Sequence, residues 1–191
     1  MTQLKTNGIN RRTFLKSGMA GATGLALGAT ASPLLAQSSA LASEHVCTFS
    51  ATLDAPQVVG PTPDGMRQIV YTTGGTLTGS KINGTLLVGG GDWLRVRSDG
   101  VFIIDVRATV QLDDGNLAYL SYPGYAVMPQ EMFGRILGGE EVDGSEYYFR
   151  VLPRFETASE QYAWLNHSIF VATGQLGPGL ASVVYEMYQI L

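Results

Sequence analysis

Between residues 74 and 179 the chain is broken by tight-turn signals, mostly at intervals of about 8 to 15 residues: "GG" at 74, "NG" at 83, "GGGD" at 89, "DG" at 99, "DDGN" at 113, "PG" at 123, "GG" at 138, "DG" at 143 and "GPG" at 177. The segments between them are rich in Val, Ile, Tyr, Phe and Thr, and none of any length carries a clean helical period. Strands are expected near 45–53, 66–73, 75–80, 82–88, 93–98, 101–112, 116–122, 132–137, 146–152, 165–173 and 181–190, with a helical turn within 154–163. No linker or internal repeat interrupts them. So many consecutive strands in so short a chain predict an all-β fold, a compact antiparallel meander β-barrel. Its general shape would be calycin-like or allene oxide cyclase-like. Closure removes exposed strand edges. A two-sheet sandwich is the alternative.

The first forty or so residues lie outside this pattern. "NRRTFLKSG", Asn10 to Gly18, has two adjacent arginines, followed by a Gly/Ala-rich apolar run and small residues at Ala40 to Ala42. This resembles a twin-arginine export signal. The run is only mildly hydrophobic, which argues against a stable membrane association. The expected organisation is a signal at 1–42 and a single barrel domain at 43–191, with cleavage after Ala42 or, alternatively, Ala36. The twin-arginine translocase would be a partner during export, and the destination periplasmic or otherwise exported.

Removing 1–42 takes four of the 12 basic residues and none of the 16 acids, so the net charge moves from −4 to about −8. That balance excludes an electrostatic footprint for nucleic acid and any attraction to anionic lipid. One lysine, Lys81, then remains beside seven arginines. Arginine makes fixed bidentate contacts and stacks on aromatic rings. Cys47 is the single cysteine, so no internal disulfide forms, and it is read as a small buried residue of the first strand.

Alternation assigns the faces. Phe102, Ile104, Val106, Ala108, Val110 and Leu112 form one apolar face, opposed by Asp105, Arg107, Thr109 and Gln111. Tyr147, Phe149 and Val151 oppose Tyr148 and Arg150; Leu165, His167, Ile169 and Val171 oppose Trp164, Asn166, Ser168 and Phe170. The Arg-rich second faces suit a polar ligand pocket or a subunit interface, which leaves a homo-oligomer open. Equally, Arg107 can simply pair with Asp105 on an exposed face.

Most site chemistries are unsupported. His45 and His167 lack metal-ligand spacing, so no metal site is expected. His167 reads as a core histidine. There is no G-x-S-x-G element. "GGGD" precedes no helix, so it does not read as a phosphate loop. What remains is acid–base chemistry with no cofactor. Asp105 and Glu156 are the candidate catalytic residues, and Arg107, Arg150 and Arg154 the candidate holders of an anionic group or developing oxyanion. Trp93, Tyr119, Tyr122, Trp164 and Asn166 complete the expected binding surface. A small-molecule ligand is thus the expected partner. A non-catalytic carrier and a filled-barrel interaction protein are the competing readings.

"GGDW" at 90, "DG" at 99, "DVR" at 105, "DDG" at 113, "PRFET" at 153 and "YAWLN" at 162 occur in this order, and together the stretch from Ala51 to Ile190 resembles the DUF3237 proteins, also called UPF0311. The resemblance implies a compact antiparallel β-barrel and no particular activity. By position, the family's recurring polar and aromatic residues match Asp92, Trp93, Asp105, Arg107, Arg150, Arg154, Glu156, Trp164 and Asn166. The twin-arginine leader departs from the family pattern.

Overall fold

A computed structural model describes residues 41–191; the expected export signal, 1–42, lies outside the described residues except for its last two. The described chain is all-β with one short α-helix. Its strands are β1 (Ser43–Leu53), β2 (Gln57–Thr62), β3 (Gly65–Thr78), β4 (Gly84–Leu86), β5 (Gly91–Asp92), β6 (Arg95–Val96), β7 (Phe102–Leu112), β8 (Leu117–Val127), β9 (Tyr148–Val151), β10 (Arg154–Thr157), β11 (Ile169–Leu176) and β12 (Ser182–Ile190); helix α1 spans Gln130–Leu137. Pairing runs β12–β1–β3–β4–β7–β8–β9–β11 and returns to β12, all antiparallel, so the sheet closes into a barrel of eight strand positions. The short β5 and β6 continue the β4 position between β3 and β7, and β10 pairs with the first half of β8. This is the expected meander.

The β7–β8 hairpin shows why the alternation is reliable. The register Asp105↔Pro123 and Thr109↔Tyr119 leaves Ile104, Val106, Ala108, Val110 and Leu112 buried, with Tyr122, Leu120 and Ala118 buried opposite Val106, Ala108 and Val110. Gly115, at φ +86°, closes its turn in a conformation that L side chains rarely adopt. Cys47 is fully buried in β1, beside a bulge between His45 and Cys47 that also buries Val46.

Several expected boundaries are corrected. The stretch 132–137 is part of α1, with Ile136 buried and Gly138 at its C-cap. The expected strands 66–73 and 75–80 are one strand, β3. Gly74 and Gly75 do not turn the chain. Gly75 lets β1 approach, since a Cβ there would lie 2.0 Å from the Ser50 carbonyl oxygen. The strand β2 was not expected. Arg154–Thr157 is a strand rather than a helical turn, and the turn comes later, as a 3-10 helix at Ala163–His167. That helix shifts the phase of β11: Phe170 and Ala172 are buried, Ile169 is exposed, and His167 is exposed rather than in the core.

Candidate functional site

Four aromatic rings divide the barrel interior. Tyr185 stacks on Phe49 at 5.5 Å and meets Tyr122 and Phe149 edge-on at 5.5 and 5.4 Å. On one side of this layer Leu77, Leu120, Phe155 and Met187 fill the barrel, leaving a void of only about 10 Å³. On the other lies a cavity of about 100 Å³, walled mainly by apolar side chains such as Val70, Leu94, Ile104 and Val106. Gln68, Thr72, Asp92, Tyr122 and Tyr185 are its polar members, and among the described residues no lysine or arginine lines it.

Asp92 reaches the cavity from β5, where it pairs with Val70 of β3 and Val106 of β7, both wall residues. Gly91 permits that approach: a Cβ there would sit 3.1 Å from the Val70 carbonyl oxygen. Oδ1 accepts the Asp105 backbone N–H at 2.9 Å, the one hydrogen bond to this carboxyl group among the described residues. Burial among apolar walls pushes the Asp92 pKa up to about 7; the Asp105 amide opposes that shift, the Asp105 carboxylate adds to it and Arg67 lowers it. Burial likewise raises Tyr122 and Tyr185, keeping both as neutral phenol donors. Thr72 Oγ1 is buried with no hydrogen-bond partner. An unpaired buried hydroxyl is costly, and a bound oxygen atom would satisfy it.

None of the expected catalytic and binding residues except Tyr122 lines this cavity. They lie on the outer face, or at its corner, in local groups. Arg107 pairs with Asp105 at 3.2 Å, both about half exposed, and its guanidinium lies over the Trp93 ring at 5.4 Å. Arg154 pairs with Glu156 at 3.3 Å in full view of solvent, with Tyr119 opposite Glu156 and 40% exposed. Arg150 lies over Tyr148 at 5.3 Å and donates to the Phe149 carbonyl. Asn166 serves the corner: it accepts from the Thr157 N–H at 2.8 Å and donates to the Thr157 carbonyl at 2.9 Å. Trp164 packs on Phe170. The expected convergence of guanidinium and carboxylate groups around an enclosed hollow therefore does not occur. The strand pleat that buries Val106 turns its neighbours Asp105 and Arg107 outward.

The residues that do converge, apart from Tyr122, lack a strong sequence signal. Asp92 stands in a two-residue strand after three glycines, where alternation has no length over which to show. Thr72 and Tyr185 read as ordinary inward members of apolar strands. Among the described residues no three His, Cys, Asp or Glu side chains group as a metal site.

The sequence model for the family described as "Protein of unknown function (DUF3237)" matches residues 41–190. A UPF0311 protein of Clostridium acetobutylicum is 35% identical over 148 residues, covering 77% of this chain and 92% of that protein. Among solved structures, a conserved protein of unknown function from Rhodopseudomonas palustris superposes with a TM-score of 0.75 at 30% identity, covering 80% of this chain and 99% of that one. A beta-barrel like protein from Acinetobacter baumannii gives a TM-score of 0.67 at 37% identity, covering 80% and 97%.

Proposed function

The chain belongs to the DUF3237 (UPF0311) family, and we propose that its barrel binds a small, partly apolar, oxygenated metabolite in the interior cavity, where Asp92 moves a proton on it without a cofactor. The observation that carries this reading is a lone carboxyl group, held by one backbone amide, facing an apolar hollow. A group that titrates near neutrality exchanges a proton in either direction at small cost. The reaction class is proton abstraction beside a carbonyl. The C–H bond breaks toward Asp92 Oδ2, and the electron pair moves to the substrate oxygen. Return of the proton to another carbon gives isomerisation; attack of the electron pair on an electrophilic carbon of the same molecule, which takes the proton at its far end, gives cyclisation; and expulsion of a leaving group that takes the proton gives elimination. The neutral phenols of Tyr122 and Tyr185 stand ready to donate to the oxygen as charge develops.

The test begins with native mass spectrometry of the purified protein to identify a co-purified small molecule. That molecule is then incubated with the protein in deuterated water. Wild type should introduce deuterium, and Asp92→Asn should bind without exchange. Binding by both with no exchange in either would make the barrel a carrier.

Export by the twin-arginine route belongs to the same proposal. The Arg11–Arg12 pair supports it, as does the start of β1 at Ser43, directly after the expected cleavage at Ala42. Replacing both arginines by lysine should abolish export. Export that persists would rule the route out.

A further inference from the structure

The interior cavity is not isolated. Gln68, Phe102, Met128 and Phe133 line it and also line an open vestibule of about 490 Å³, whose wall includes Met66, Val96 and Gln130. The Phe102 and Phe133 rings pack against each other at 5.1 Å and together form one side of the neck where the two spaces meet. A dry cavity of about 150 Å³ accommodates a benzene-sized molecule. The inner cavity, at about 100 Å³, therefore holds a head group and a few carbons, and a longer ligand must leave through the neck.

Charge narrows the class. Among the described residues, the ionisable side chains other than tyrosine that line the two spaces are Asp92 and Asp99, and Asp99 is already paired with Arg97, which is not part of the lining. A carboxylate or phosphate head would meet no cation there and would lose its hydration. An ammonium would also give up its hydration shell, and burying a charged head among apolar walls costs more than burying a neutral one. A carbonyl or hydroxyl fits, because Thr72 Oγ1 is a buried hydroxyl with nothing to bond.

Resting on the proton-transfer site above, we propose that its ligands are uncharged, elongated molecules: a carbonyl or hydroxyl head seated between Thr72 and Asp92, and an apolar tail passing Phe102 and Phe133 into the vestibule. Recognition is by head polarity and tail length.

Calorimetric titration with straight-chain 2-alkanones of five to eleven carbons, and with the matching carboxylates and amines, tests this at pH 6, where Asp92 keeps its proton and the carboxylates and ammonium ions keep their charge. Ketone affinity should rise about threefold per added methylene over the first carbons. Carboxylates and amines of equal length should bind at least tenfold more weakly. Thr72→Val should weaken ketone binding about fivefold and leave the matching alkane unchanged. Phe133→Ala should weaken the longest ketones about tenfold and spare the shortest. A carboxylate or amine that binds as tightly as its ketone overturns the proposal, and so does affinity that is flat with length. Binding as described without deuterium exchange would leave this ligand class standing and remove only the proton-transfer step.

Discussion

The Asp105 backbone N–H donates to Asp92 Oδ1 at 2.9 Å, while the Asp105 carboxylate turns to the other face of the barrel wall and meets Arg107 at 3.2 Å. One residue thus serves the interior through its amide and the exterior through its side chain. A single amide offsets only part of the cost of burying the Asp92 charge, which is why that carboxyl group titrates near 7. The outward pair sits in solvent, where screening leaves it little energy.

Asp92→Asn should change stability in a pH-dependent way. The folded pKa of about 7 lies above the ordinary 3.8, so the Asp92 proton stabilises the fold. That contribution is complete below about pH 4 and is lost as pH rises through 7. Its upper bound is on the order of 4 kcal/mol, reduced by the solvent that reaches the group. The variant has no such loss. Thermal unfolding should show the variant's advantage small at pH 4.5 and several-fold larger at pH 8. An equal difference at both pH values would contradict a buried, proton-holding carboxyl.

Asn166→Ala should remove both hydrogen bonds to Thr157 and cost about 1–3 kcal/mol, with ligand affinity unchanged. Urea unfolding and titration together separate this corner role from a binding role, which would lower affinity at constant stability.

On the outer face, Arg107→Ala and Glu156→Gln should each shift stability by less than about 1 kcal/mol, since both ion pairs are exposed. Neither should alter ligand binding or deuterium exchange. Loss of exchange in Glu156→Gln would return the site to the exterior.

Gly75→Ala should be poorly tolerated. The added Cβ would sit 2.0 Å from the Ser50 carbonyl oxygen and 3.0 Å from the Ala51 Cα, so β1 and β3 must separate locally. A cost of about 3 kcal/mol or more in denaturant unfolding is expected.

The sequence made the barrel legible because long strands declare their faces. Burial alternates along β7 from Ile103 to Leu112, and the expected inward residues are buried except Phe102, which is partly buried against the core. Phase was lost where a short 3-10 helix precedes β11, because three residues per turn displace the alternation that follows. The stretch 132–137 misled because its few apolar residues suit either period. For the site, Tyr122 was found as an aromatic wall residue. Asp92 was named only as a residue the family repeats, because a two-residue strand gives no face. The charged residues that drew notice were conspicuous because they point to solvent.

Asp92 supplies the most direct measurement. Carbon-13 NMR titration of the aspartate carboxyl groups, assigned by comparison with Asp92→Asn, should place the Asp92 midpoint about three pH units above the ordinary 3.8, near 7. A midpoint near 4 would mean that this carboxyl group is hydrated, and it would contradict the enclosed proton-transfer site.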